Sequence, residues 1–272
     1  GIGTVTFDAN AVEGISGTQD SEDIRVNIAK VDTSTLSSPV QQTIGSRPVY
    51  DFSVTAGGSS ISSFGGGRAS INIPYTLGPG EDKNAVIVYY IDDSGSLQTV
   101  RGAYNEAAGT VDFMVSHFSK YAVGYNIVTF SDVSRTAWYN NAVTFIAARG
   151  ITNGTAPGSY SPDAAITRGE FIVMLMRAYG IESDRNPADN FSDAGNTYYT
   201  DYLSAAKSLG ISKGIGDNKF GPESQVTRQD MFTMLYRALD ILGELPEETA
   251  GKSLSDFDDA SAISDYAAEA VD

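Results

Sequence analysis

Cysteine is absent from the 272 residues, and histidine and tryptophan occur once each, as His117 and Trp138. Without cysteine there is no disulfide framework, no thiolate zinc site and no cysteine nucleophile. One histidine excludes a multi-histidine metal centre, and no cofactor is expected. Basic residues are scarce: 18 Lys and Arg stand against 34 Asp and Glu, a formal charge of −16. That sign opposes a phosphate backbone, so no nucleic-acid partner is expected. No apolar run approaches the roughly 20 residues that span a bilayer. The chain opens at Gly1 with neither an initiator methionine nor a signal peptide, so it reads as a piece of something longer. What is present is enough to build a core. Hydrophobic residues make up 41% and aromatics 10%, and the length suggests about two domains.

The two halves differ in period. Residues 1–128 are rich in Gly, Ser and Thr, with short alternating runs at Val5–Phe7, Ile24–Ile28 and Ile71–Ile73. The longer run 85–91 reads as a strand buried on both faces. Asp92–Gly95 and Asn105–Gly109 read as turns, leading into strands at 97–100 and 110–115, and Tyr121–Tyr125 closes the series. Seven or eight strands without intervening helix predict an antiparallel β-sandwich over 1–126. Beyond it the spacing is helical. Trp138, Ala142, Val143, Ile146 and Ala147 form one apolar stripe, ending at Gly150. Phe171, Met174, Leu175 and Ala178 form another, ending at Gly180. The prediction is a multi-domain β plus all-α chain, with the helical part over 127–272. Both halves are acidic, at −6 and −10.

The helical half repeats itself at an offset of about 60. Phe130-Ser131-Asp132-Val133 returns as Phe191-Ser192-Asp193-Ala194, and Gly150-Ile151-Thr152-Asn153-Gly154 as Gly210-Ile211-Ser212-Lys213-Gly214. Tyr160-Ser161-Pro162 becomes Phe220-Gly221-Pro222, and Thr167-Arg168-Gly169-Glu170 becomes Thr227-Arg228-Gln229-Asp230. The copies span 130–180 and 191–240, and a third opens at Phe257 and runs to residue 272. Thr-x-x-Glu and Thr-x-x-Asp suit a capped helix start. Helix pairs of this kind bury their stripes only by packing on one another.

An arginine in a first helical turn is mildly disfavoured by the macrodipole. Arg168 and Arg228 therefore call for a partner. One reading is a salt bridge to Asp132 or Asp193. The other is an anion site, where guanidinium and helix-start N–H groups meet a carboxylate or phosphate. Trp138 lies on the predicted core stripe; exposed beside an arginine, it becomes a platform for stacking a sugar.

Together these motifs resemble the S-layer homology domain over residues 129–272. The resemblance implies a helical assembly of tandem repeats. It implies non-covalent attachment of an exported protein to secondary cell-wall polysaccharide, often pyruvylated, in grooves between repeats. It further implies an extracellular, cell-wall location, with Arg168 and Arg228 as ligand arginines and Asp132, Asp193, Gly154 and Gly214 lining the grooves; Lys213 joins them from the glycine turn. Gly169 and Gln229 depart from the family's usual alanine, and the third copy lacks its glycine turn, proline and Thr-Arg helix. Its unfinished face around Tyr266, Ala270 and Val271 offers a route to self-association.

The β half resembles modules found just upstream of such repeats in bacterial surface proteins. Its His117-Phe118-Ser119 step is also similar to self-cleaving β domains of the ZU5 and GAIN type. There, a serine hydroxyl deprotonated by the histidine attacks the preceding carbonyl. The expectation is nonetheless of a binding protein that is not an enzyme, with a structural S-layer tile as a further reading. Spacing singles out no pair of carboxylates for glycoside hydrolysis.

Overall fold

The computed structural model describes residues 1–17, 23–183, 189–246 and 254–271. The chain divides into two compact units, Gly1–Tyr160 and Ser161–Asp272. The first contains, in chain order, β1 (Thr4–Phe7), α1 (Ala9–Ser16), β2 (Ile24–Lys30), α2 (Ser38–Ile44), β3 (Val49–Ala56), β4 (Ser59–Ser60), β5 (Ala69–Pro74), β6 (Val86–Ile91), β7 (Leu97–Val100), β8 (Gly102–Asn105), β9 (Thr110–Val115), β10 (Lys120–Tyr125) and α3 (Asn140–Ala148).

Two antiparallel sheets form, one ordered β1-β5-β9-β8 and the other β2-β3-β10-β6-β7 with β4 on β3. The period of two explains their packing. Ile71 and Ile73 of β5 and Val111 and Phe113 of β9 share one core with Phe52 and Val54 of β3 and Tyr121 and Val123 of β10. The strand over 85–91 is buried on both faces, as its unbroken apolar run predicts. Val86 and Val88 enter the shared core, whereas Ile91 meets Val40 and Ile44 of α2 and Ile87 meets Ala148 of α3.

The expectation of strands without helices is corrected by α1 and α2. Each is only two turns long and shows two core residues four apart, Ala11 and Ile15 in α1 and Val40 and Ile44 in α2. Such short segments leave almost no periodicity to read. Local chemistry starts them. The Asp8 carboxylate accepts from Ala11 N–H at 2.7 Å and from Arg68 N–H at 2.9 Å, and α2 opens with proline in its first turn.

The change of period near residue 126 is not where packing divides the chain, because α3 is built onto the β layer. Arg149, at the end of α3, donates to the carbonyls of Asn84, Val86, Gly102 and Phe145 through five bonds of 2.8–3.1 Å. Burial pulls its guanidinium down to about 10. Asn126 Nδ2 also donates to the Ala148 carbonyl at 2.7 Å.

The second unit contains α4 (Arg168–Tyr179), α5 (Thr200–Ser208), α6 (Arg228–Leu242) and α7 (Ala268–Val271). Ile172, Val173 and Met176 of α4 share a core with Leu203 and Ala206 of α5 and Met234 and Ala238 of α6. The α4 stripe read from sequence is thus rotated: of its four members only Leu175 is buried, whereas Ile172, Val173 and Met176 turn inward. The glycine stops hold, with Gly150 and Gly180 both left-handed at φ +67° and +65°. The third copy docks on α6: Ser264 N–H donates to Gln229 Oε1, Tyr236 to Glu269, and Ala267 is fully buried. Its last residue, Asp272, lies outside the described residues.

Replacing Arg149 by alanine strands carbonyls inside the β unit and is expected to cost on the order of 2–4 kcal/mol. Calorimetry of the whole chain should then find the melting temperature lowered by about 5–15 °C. Arg149→Lys should restore part of it, since one ammonium cannot reach four separate carbonyls. An unchanged melting temperature in the alanine variant would mean the carbonyl cage contributes nothing.

Candidate functional site

The repeated loops are nearly identical in geometry. In the first copy Asp132 accepts from the Tyr160 N–H at 2.9 and 3.1 Å and from the Ser159 hydroxyl. In the second, Asp193 accepts from the N–H groups of Phe220 and Gly221 at 2.8 and 2.9 Å. The ring pairs Phe130–Tyr160 and Phe191–Phe220 have the same 5.5 Å separation, at 43° and 44°. Gly154 and Gly214 sit at φ +79° and +76°, and a Cβ on either would lie 2.3 Å from a carbonyl oxygen across the loop. Only glycine satisfies both constraints. These four residues hold the loops shut. Asp132 and Asp193 are therefore not the partners of the arginines.

That partner is Asp230. Arg168 is only 5% exposed; its Nη1 lies 2.9 Å from Asp230 Oδ2, and its Nε donates to the Phe220 carbonyl at 2.9 Å. The start of α4 is equally engaged. Arg168 N–H donates to Ser224 O and Gly169 N–H to Pro222 O, while Thr167 and Glu170 close a full capping box. Asp230 also accepts from the hydroxyls of Thr227 and Tyr266, at 2.7 and 3.0 Å. One residue from each copy thus meets here. Burial works against the charged Asp230, yet the Thr227 hydroxyl, the Arg168 guanidinium and the Tyr266 hydroxyl together hold its carboxyl below the usual range.

Arg228 is different: it is exposed, with its guanidinium 5.9 Å from the Phe232 ring centre. Lys213 is exposed on the glycine turn. Trp138 is not core. It precedes α3, is 92% exposed and packs edge-on to Tyr139, which turns inward in its place. Sequence reading missed that this position recurs. Five residues before the aliphatic of each first helix (Val143, Leu203, Val271) stand Trp138, Tyr198 and Tyr266, at 92%, 59% and 50% exposure. The register of the repeat was the available signal. In the first copy, Phe130, Val133 and Val143 line an open cavity of about 120 Å³ with Arg135 and Asn140 at its wall.

His117 packs against aromatic rings of the β unit. Its ring stands edge-on to Tyr90 at 5.0 Å, its carbonyl accepts from Tyr121, and Phe118 is wedged among Phe7, Phe52 and Phe64. Positive φ, where strain would be stored, occurs at neither Phe118 nor Ser119.

Asp193 carries the clearest pH signature. Burial raises its pKa, but the Phe220 and Gly221 N–H bonds outweigh this and lower it below the ordinary aspartate value. A depressed folded-state pKa stabilises fully above the unfolded value of about 4 and is lost as pH falls through the folded one. Thermal melts from pH 6 to pH 2.5 should therefore find wild type losing stability below about pH 4 more steeply than Asp193→Asn. Parallel curves would remove Asp193 from the acid response.

Comparison with known proteins agrees with the repeat. Residues 129–172 and 190–232 match the S-layer homology domain. An amylopullulanase of Thermoanaerobacterium thermosulfurigenes is 30% identical over 203 residues, 74% of this chain and 11% of that protein. This stretch is longer than the helical half alone, so it reaches into the β unit. An endoglucanase of Bacillus sp. (strain KSM-635) is 33% identical over 54% of the chain and 15% of its own length. An S-layer protein of Bacillus licheniformis is 28% identical over 48% of the chain and 14% of its own length. The chain thus spans a small part of each of these relatives. With two copies of the motif matched and the same loop geometry in both, the chain carries S-layer homology repeats over residues 129–172 and 190–232 and has the cell surface as its location.

Proposed function

We propose that the chain attaches a larger protein to the cell wall by binding secondary cell-wall polysaccharide, a pyruvylated or otherwise anionic glycan, in grooves between repeats. The observation that carries this is the recurring exposed aromatic, Trp138, Tyr198 and Tyr266, together with the arginine that opens the capped helix in both complete copies. An aromatic face takes the apolar face of a sugar ring, and a guanidinium takes its carboxylate in a bidentate pair. Arg228 and Arg168 are the arginines of this reading, with Lys213 and the turns at Gly154 and Gly214 forming the groove walls. The N-terminal sheets serve as a β-sandwich surface module. Cleavage is not part of this function.

Arg228→Ala should weaken calorimetric binding to purified cell-wall polymer by about tenfold to a hundredfold, the loss of one charge-assisted contact. Arg228→Lys should recover part of it. Trp138→Ala should weaken binding several-fold, from about 1 kcal/mol of lost stacking. Equal affinity for folded wild type and Arg228→Ala would direct the search away from the helix starts.

The His117-Phe118-Ser119 step is proposed to stay intact. Intact mass of freshly purified protein should be one species, identical in kind to Ser119→Ala. Two fragments meeting at Phe118–Ser119 in wild type alone would reverse that conclusion.

A further inference from the structure

The two repeats differ by one methylene at the third position of the capped helix, and the difference redirects a carboxylate. In α4, Glu170 is long enough to reach back, and its Oε2 accepts from the Thr167 N–H at 2.8 Å. In α6 the same position is Asp230, which turns sideways to Arg168 of the preceding copy. Asp230 thereby fills the position on the Arg168 guanidinium that an anionic ligand would need. The arginine side chain is 6% exposed, whereas that of Asp230 is 21% exposed. Tyr266, half exposed, covers the carboxylate from the third copy. The pair is thus closed from inside and reachable from the Asp230 side.

We propose that Asp230 is an internal competitor: a ligand carboxylate reaches Arg168 only by displacing Asp230, so this residue sets the affinity of the groove. The proposal rests on the binding reading above. It makes the two arginines unequal, Arg228 open and Arg168 reached only by exchange. Exchange of one carboxylate for another is chemically even, since the guanidinium, which Asp230 holds through Nη1, keeps an anionic partner. Removal of Asp230's claim on Arg168 therefore passes directly into ligand affinity.

The test is calorimetric titration of the whole chain with purified secondary cell-wall polymer. Asp230→Glu is the chief variant. It keeps the charge and is expected to reach back to the Thr227 N–H as Glu170 does, so it preserves the helix cap while releasing Arg168. Asp230→Asn keeps the shape and removes the charge. Both should bind about tenfold or more tightly than wild type. Asp240→Asn, an exposed acid on the same helix, makes the same change in net charge and should leave affinity almost unaltered. In an Arg168→Ala background the gain from Asp230→Asn should vanish; losing both members of a buried pair is tolerated far better than losing one. Wild type that fails to bind polymer overturns the binding reading and the competitor with it. Wild type that binds, with folded Asp230→Glu and Asp230→Asn no tighter, overturns the competitor alone, and so does an equal gain from Asp240→Asn.

Discussion

The ion pair between Arg168 and Asp230 is the constraint around which the second unit is organised. It joins the starts of two capped helices from successive copies. A guanidinium and a carboxylate taken out of water are costly unless every remaining donor and acceptor is met. Here they are met by the Phe220 carbonyl on one side and by Thr227 and Tyr266 on the other. The backbone follows the same seam: the first N–H groups of α4 end on carbonyls of the 222–224 loop, and Val226 N–H returns to Ile166 O. Placing an arginine in a first helical turn, unfavourable in an isolated helix, becomes favourable once the next copy supplies the acid.

The β unit uses a cation differently. Arg149 has carbonyl oxygens around its guanidinium and the Phe145 ring against it. Four carbonyls from the β6 and β8 region and from α3 itself make one rigid joint. The first helix of the repeat array is thereby part of the sheet's outer layer, alongside α2. A surface module and the opening of an anchoring domain are in this way folded as one body.

Charge gives the proposed binding its character. A chain at −16 repels an anionic polymer at long range. Attraction must therefore come from a few fixed cations at contact distance: Arg228 and Lys213 are exposed and weakened by salt, whereas Arg168 is buried and screened little. Loops closed by Asp132 and Asp193 and pinned by left-handed glycines give those cations a stiff frame. Aromatic faces at the start of each first helix add binding that net charge does not oppose.

Much of this was legible before any coordinates. Period two gives way to 3.6 near residue 126, glycines at 150 and 180 mark helix ends, and four ordered blocks at a nearly constant offset identify the repeat. These are local signals, set by backbone geometry and by side chains within a few residues of one another. Short α1 and α2 escaped, because two buried residues four apart do not make a period. The apolar spacing places Trp138 on the core stripe, but an aromatic two positions before a helix start faces inward or outward only by where the first turn begins. The sequence by itself thus determined the repeat, the caps and the presence of two arginines that needed anions. Only the tertiary structure decided that Arg168 takes Asp230 rather than Asp132 or Asp193. Both loop aspartates are already committed to backbone N–H groups, and the pairing joins residues 62 positions apart through a seam that no local pattern encodes.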